Sequence, residues 1–264
     1  MTCAIHGRKR NIAVVAAIVV MVVLVLVAVL APILVLAVQR EGGGVLVVAT
    51  FGDSITDVGS YGKVMDQNQF PFGYQATMYT EFKQMGIQSK IHNYGIGGQV
   101  VRQIVDRLPM SVSADYITIL AGINDVNTAD YASSVNATQI LTDSITQTMT
   151  DGVNSVLAHR PPETKVVIGT IPPFCTLGAW GQLEAKRDAI VYINKRLRLL
   201  VSAWNSTRIL LADVFADMAT DGEDGWRLER CCPQDRLHFT PQANIICGQA
   251  FSRAIRRDWL SNNR

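Results

Sequence analysis

After residue 44, short apolar runs alternate with longer amphipathic segments, and this alternation constrains the fold more than any other feature. Five apolar runs, most of them closed by a glycine or a proline, predict buried β-strands at residues 45–51, 89–94, 116–121, 165–171 and 208–214. Apolar residues at helical spacing predict helices at residues 72–85, 132–158, 184–204 and 241–260, the last with Thr240 as N-cap and Pro241 as its first residue. Strands that alternate with such helices predict a three-layer α/β/α sandwich around a parallel sheet.

Residues 12–38 contain no charged side chain and would form a helix roughly 40 Å long, enough to cross a hydrocarbon core of roughly 30 Å. Because Arg8, Lys9 and Arg10 precede this run, the positive-inside rule predicts a cytoplasmic tail at residues 1–11. We therefore predict a single-pass signal anchor at 12–38, a linker at 39–44 and one extracellular, lumenal or periplasmic domain at 45–264. The alternative is cleavage near Ala37 and secretion, but the run exceeds the usual signal-peptide core of about 7–15 residues.

Charge and cysteine content exclude two classes of site. Beyond residue 38 the chain has 21 Lys and Arg against 22 Asp and Glu, so it lacks the basic excess of a nucleic-acid binder. No cysteine and histidine spacing matches a zinc site, and no metal is predicted. Four cysteines would lie in an oxidising compartment, and the sequence leaves open which of them pair and which are free buried thiols: Cys175, Cys231, Cys232 and Cys247.

Polar residues follow the predicted strands at their carboxyl ends, which is where parallel sheets bind ligands. Ser54 lies on the turn after the first strand, and its hydroxyl becomes a nucleophile only if a neighbouring base takes its proton. His238 is the best candidate base, because His92 falls inside the second predicted strand and His159 at the exposed end of a predicted helix, while His6 lies on the opposite side of the membrane. Asp235, three residues earlier, can orient the imidazole, so these three residues form a candidate catalytic triad.

Backbone and amide N–H groups near Ser54 predict an oxyanion hole. The Ser54 N–H opens a helix, Gly98 allows a backbone N–H to approach a substrate, and Asn124 offers a side-chain amide after the third strand. Asp57 is interpreted as a charge that favours the N-terminus of that helix. The residue pattern therefore indicates acyl-transfer chemistry.

Four motifs together resemble the SGNH (GDSL) hydrolase family, and the resemblance covers residues 45–264. They are Gly52-Asp53-Ser54, the glycine-rich segment 95–98, Gly122-x-Asn124-Asp125 and Asp235-x-x-His238. The resemblance implies a flavodoxin-like fold with a five-stranded parallel sheet, and a serine esterase without a metal or an organic cofactor. It assigns Ser54, Asp235 and His238 to the triad, and Ser54, Gly98 and Asn124 to the oxyanion hole. Phe239 stands where many members have proline.

The leading hypothesis is hydrolysis of carboxylic esters through an acyl-enzyme on Ser54. The substrates expected are small-molecule, glycan or lipid esters, such as acetyl or short-chain esters of carbohydrate or lysophospholipids. One alternative is a membrane-tethered O-acyltransferase that uses the same triad. Another is a non-catalytic binding module, against which the complete set of motifs argues.

Overall fold

The structure, a computed structural model, describes residues 44–59, 64–65, 73–111, 113–131, 136–173, 183–219 and 237–262. The predicted membrane segment at 12–38, the triad residue Asp235 and three of the cysteines (Cys175, Cys231 and Cys232) lie outside these residues. Within the described ranges, no helix combines the length and the apolar character that a membrane span requires. The fourth cysteine of the predicted domain, Cys247, is a buried free thiol.

A six-stranded sheet forms the centre of the domain. Its strands are β1 (Leu46–Gly52), β2 (Val64–Met65), β3 (Ser89–Gly95), β4 (Tyr116–Leu120), β5 (Lys165–Gly169) and β6 (Ile209–Ala212). They are arranged in the order β2-β3-β1-β4-β5-β6, in which β2 is antiparallel to β3 and the other five strands are parallel. The five predicted parallel strands are therefore confirmed. The edge strand β2 was not predicted, because two residues are too few to carry a periodic signal.

Helices follow nearly every strand. They are α1 (Ser54–Asp57), α2 (Tyr74–Gln84), α3 (Val101–Val105), α4 (Ile123–Thr128), α5 (Ala137–His159), α6 (Leu183–Trp204), α7 (Val214–Met218) and α8 (Pro241–Asn262), with a 3₁₀ turn at Leu108–Met110. The last helix begins as predicted, because the Thr240 hydroxyl accepts a hydrogen bond from the N–H of Ala243 at 3.1 Å. Helix α5 starts five residues later than predicted, directly after Asn136.

The helices form two layers, one on each face of the sheet. Helix α2 packs against α8, which also contacts β5 and β6, whereas α3, α5 and α6 pack together. Residues of β1, β4 and β5 are therefore buried with almost no alternation, as in parallel sheets covered on both faces. The predicted three-layer α/β/α sandwich is the observed architecture.

The sheet order reverses at β1, which has β3 on one side and β4 on the other. This is the flavodoxin-like order, in which ligands bind beyond the carboxyl ends of the strands at the point of reversal. Gly52 at the end of β1 pairs in register with Gly95 of β3 and Leu120 of β4. The segments that follow these three strands therefore emerge side by side.

Candidate active site

Ser54 is the first residue of α1, immediately after the Asp53 cap. The Asp53 carboxylate accepts a hydrogen bond from the N–H of Ile55 at 3.0 Å, which fixes the start of this four-residue helix. The N–H of Ser54 belongs to the same first turn, where backbone N–H groups have no partner within the helix. Ser54 is partly exposed, whereas Asp53 is 1% exposed.

Helix α1 lies so close to the strand ends that side chains are excluded there. A Cβ on Gly52 would approach the Thr56 hydroxyl to 2.0 Å, and one on Gly95 would approach the N of Asp57 to 2.2 Å. Both distances are far below van der Waals contact. The two glycines therefore allow the backbone of α1 to rest on β1 and β3, which determines where Ser54 stands.

Two buried amide side chains bind the far end of α1. The carbonyl of Thr56 accepts hydrogen bonds from Gln75 Nε2 at 2.8 Å and Asn93 Nδ2 at 2.7 Å. Asn93 Nδ2 also reaches the carbonyl of Asp57 at 3.2 Å, and Asn93 Oδ1 accepts from the N–H of Gly95 at 2.8 Å. Carbonyls at the end of a short helix have no hydrogen-bond donor within the helix, and the two side-chain amides provide the missing donors.

The glycine-rich segment after β3 passes close to Ser54. The N–H of Gly97 donates to Asp57 Oδ2 at 3.3 Å, and a Cβ built on Gly97 would lie 3.7 Å from the Ser54 Cβ. Gly98 has φ = 77°, a left-handed conformation that favours glycine. The Gly98 N–H has no hydrogen bond to any described residue, and a Cβ there would meet nothing within 4 Å.

Asn124 lies at the start of α4, next to this segment. Its Nδ2 donates to the carbonyl of Gln99 at 3.0 Å, and the side chain is 8% exposed. An amide nitrogen carries two hydrogens, so one remains for a further acceptor. The following Asp125 accepts from the N–H of Val101 at 2.9 Å. Helix α4 thus binds the residue that follows the glycine-rich segment and the start of α3.

His238 lies just before α8. Its neighbours Leu237 and Phe239 both pack against the hydrophobic core, which fixes the backbone on either side of the imidazole. The charge of His238 acts on the pKa of Asp53, so the imidazole lies within electrostatic range of the residue next to Ser54. Elsewhere, His92 lies within β3, and His159 Nδ1 is 2.8 Å from the Ser155 carbonyl at the end of α5.

Burial raises the pKa of Asp53 to about 7, against the lowering effects of the Ile55 N–H and of His238. Asp125 adds to the rise by charge repulsion, and burial raises the pKa of Asp125 as well. The site therefore contains acidic side chains that are poorly solvated close to the candidate nucleophile. Within the described ranges, no group of three or more His, Cys, Asp or Glu side chains could hold a metal ion.

Of the residues predicted from the sequence, Ser54, Gly98 and Asn124 occur on three segments that emerge together, while Asp235 is outside the described residues. Sequence reasoning missed the residues that fix these segments: Gln75, Asn93, Gln99 and Arg107. Asn93 had a visible signal, because it is a polar residue at an inward position of a predicted strand. Asp57 contributes more than a helix charge, since it binds Gly97.

Comparisons with known proteins agree with this geometry. Among solved structures, the acetylxylan esterase Axe2 from Geobacillus stearothermophilus is 20% identical, with a TM-score of 0.58 over 82% of this chain and 96% of that chain. A protein from Parabacteroides merdae described as a GDSL-like lipase is also 20% identical, with a TM-score of 0.60 over 80% of this chain and 96% of that chain. Catalytic mutants of Axe2 replace a serine, an aspartate or a histidine, the aspartate lying three positions before the histidine.

No curated protein sequence matches the chain. The sequence model of the GDSL-like lipase/acylhydrolase family, however, matches residues 50–244, which span the strand-end segments described above and His238. The structural neighbours have the same fold. The chain therefore belongs to the GDSL-like lipase/acylhydrolase family and is a serine ester hydrolase.

Proposed function

We propose that this protein hydrolyses carboxylic esters of small acyl groups through an acyl-enzyme on Ser54. The observation that carries the proposal is the convergence of three segments beyond the aligned ends of β1, β3 and β4. They bring the Ser54 turn, the N–H of Gly98, which donates to no described residue, and the amide of Asn124 to one edge of the sheet. An oxyanion hole needs such donors, preorganised beside the nucleophile.

In the proposed first step, His238 takes the proton of the Ser54 hydroxyl as its oxygen attacks the ester carbonyl. The developing oxyanion accepts hydrogen bonds from the N–H groups of Ser54 and Gly98 and from the side chain of Asn124. His238 then returns the proton to the leaving alcohol, and the acyl group remains on Ser54. We propose Asp235 as the group that orients the imidazole and stabilises its charged form.

In the second step, His238 takes a proton from a water molecule as its oxygen attacks the acyl carbonyl, and it returns that proton to the Ser54 oxygen as the acyl–oxygen bond breaks, which releases the carboxylic acid and restores the hydroxyl. The spacing of Asp235 and His238 equals that of the aspartate and histidine replaced in the catalytic mutants of Axe2, which supports their pairing. The hydrogen-bond state of Gly98 favours it over Gly97 as the backbone donor, since Gly97 already donates to Asp57. No step requires a cofactor.

The substrates we propose are acetyl or other short-chain esters of carbohydrate. The acetylxylan esterase activity named for the Axe2 structure supports this choice, since its fold covers most of this chain. Lysophospholipids and other lipid esters are the competing substrates. Transfer of the acyl group to a sugar or lipid alcohol would use the same residues, because only the acceptor in the second step differs.

The test is a series of p-nitrophenyl esters from acetate to palmitate, assayed with the full chain and with Ser54→Ala. Wild-type turnover that is fastest on short chains and absent from Ser54→Ala is the expected result. A preference for long chains would instead indicate lipid esters. Adding an acceptor sugar and measuring acylated product separates transfer from hydrolysis, and a folded wild type without turnover refutes the proposal.

We also propose that residues 12–38 anchor the protein, with the catalytic domain outside the cytosol. The support is the charge-free run itself and the three basic residues that precede it. Expression in cells, followed by carbonate extraction and protease treatment of sealed membranes, tests this. We expect the protein to stay in the membrane after carbonate extraction, with its catalytic domain on the side opposite to the cytosol. Release by carbonate contradicts an anchor.

A further inference from the structure

Arg107 binds the two residues that flank the glycine-rich segment 95–98. Its Nη1 donates to the carbonyl of Tyr94, the residue before Gly95, at 2.8 Å. Its Nε and Nη2 donate to Gln99 Oε1 at 2.9 and 2.6 Å. One guanidinium group therefore spans the segment that contains Gly98, in the forked geometry that distinguishes arginine from lysine.

The position of Arg107 is itself fixed by its surroundings. Leu108, the next residue, is fully buried, so the backbone at Arg107 has little freedom. The guanidinium carbon lies 5.6 Å from the centroid of the Phe51 ring, which in turn stacks on Tyr94 at 4.9 Å. Because Phe51 belongs to β1, the arginine is tied to the same strand that leads to Ser54.

Gln99 connects the two predicted oxyanion donors outside the Ser54 turn. Its side chain is held by Arg107, and its carbonyl accepts from the amide of Asn124 at 3.0 Å. Its N–H lies 3.4 Å from the carbonyl of Ile96, which closes the turn that contains Gly98. A shift of Gln99 would therefore move the Gly98 turn and remove the partner that orients Asn124.

We propose that Arg107 and Gln99 are positioning residues for ester hydrolysis, which hold the N–H of Gly98 and the amide of Asn124 at the spacing that the oxyanion requires. The inference rests on the proposed function and adds two residues outside the triad and the oxyanion hole. Neither residue donates to the oxyanion. Their effect is on the geometry of groups that do, and oxyanion holes depend on preorganised geometry.

The test compares Arg107→Ala and Gln99→Leu with Arg102→Ala in the full chain. Arg102 is a matched control because it is an arginine in α3, five residues before Arg107, and pairs at the surface with Asp106. Both positioning variants should lower kcat by roughly 10- to 100-fold, as expected for small misplacements of catalytic groups, with little change in KM. Arg102→Ala should retain the wild-type kcat.

A purely structural role is distinguished by rescue and by a double variant. Gln99→Glu retains an acceptor for Arg107 and should recover most of the wild-type kcat, whereas Gln99→Leu should not. Because the Gln99 side chain contributes through its contact with Arg107, removing it from a chain that already lacks Arg107 should add little, and the double variant Arg107→Ala/Gln99→Leu should lose no more than the larger single loss. The inference is overturned if the fold-loss of kcat in the double variant equals the product of the two single losses. It is also overturned if Gln99→Glu and Gln99→Leu have the same kcat.

Thermal unfolding of each variant, measured in parallel, separates misfolding from misplacement. If Arg107→Ala does not fold, Gln99→Leu carries the test, since Gln99 is partly exposed and its replacement leaves the core unchanged. An active wild type whose Gln99→Leu variant matches Arg102→Ala in kcat overturns this inference alone. A folded wild type without serine-dependent turnover overturns the proposed function and this inference with it.

Discussion

Replacing Gly95 by alanine tests whether the position of Ser54 depends on the close approach of α1 to the strand ends. The new Cβ would lie 2.2 Å from the N of Asp57, 2.5 Å from the carbonyl carbon of Thr56 and 2.6 Å from the Asp57 Cα. All three are backbone atoms, so no rotation of a side chain relieves the contact. Ordinary contact between such atoms is about 3.5 Å, and α1 must therefore move by roughly 1.3 Å.

Two effects follow from that displacement. Forcing a methyl group into a closely packed site costs about 1–3 kcal/mol of stability, beyond any gain from a stiffer unfolded chain. A misplacement of about 1 Å at a catalytic group lowers the rate by about 100-fold. We expect Gly95→Ala to show both losses, in urea unfolding and in kcat for a p-nitrophenyl ester.

Gly97→Ala is the matched control for stability, because it lies two residues away and neither glycine has a positive φ. Its Cβ would sit 3.7 Å from Asp57 Oδ2 and from the Ser54 Cβ, which is ordinary contact. Its stability should therefore stay within about 1 kcal/mol of the wild type. Equal stability of the two alanine variants, with wild-type kcat in Gly95→Ala, would refute the reasoning.

Three further predictions concern Asp53, Asn194 and Asn124. Because burial raises the pKa of Asp53 to about 7 from 3.8, the folded protein keeps a proton that the unfolded chain releases, and stability falls as pH rises between these values. Measured by urea unfolding, the free energy of unfolding of Asp53→Asn should rise relative to that of the wild type by up to about 4 kcal/mol between pH 4 and pH 8. A difference between the two proteins that does not change with pH argues against a buried acid. Asn194 binds both backbone groups of Ile171, at 2.7 and 2.8 Å, so Asn194→Leu should cost about 2–6 kcal/mol while exposed Lys195→Ala costs almost nothing. Asn124→Ala should lower kcat by about 100- to 1,000-fold without loss of folding, and an unchanged kcat excludes its role as an oxyanion donor.

The sheet could be predicted because its signal is local. Residues of β1, β4 and β5 are buried on both faces, so their apolar runs are continuous and each ends at a glycine or close to a proline. The edge strand β2 has only two residues and forms through its pairing with β3, which no local pattern encodes. The start of α5 was predicted too early, although asparagine is favoured at N-caps and Asn136 precedes the first helical residue.

Three of the chemical groups of the site could be predicted because each closely follows a strand. Ser54 and Asn124 come two and four residues after the ends of β1 and β4, and Gly98 comes three residues after β3. A parallel sheet brings these ends to one edge, so chain order was enough to group them.

The residues that support the site could not be predicted in the same way, because their contacts form only when the folded chain brings separate segments together. The Asn93 amide donates to the carbonyl of Thr56, 37 positions away, and the Asn124 amide donates to that of Gln99, 25 positions away. Arg107 is an unremarkable basic residue after a short helix until the fold brings its guanidinium to Tyr94 and Gln99. Such contacts depend on tertiary packing, which periodicity does not report.

The acyl-enzyme on Ser54 is the central claim, and covalent labelling tests it most directly. The full chain is treated with a serine-reactive fluorophosphonate, and its intact mass and peptide map are measured beside those of Ser54→Ala. We predict one adduct on the peptide that contains Ser54, formed in step with the loss of ester hydrolysis and absent from the variant. An adduct on another residue, or full inhibition of hydrolysis without an adduct on Ser54, would contradict the claim.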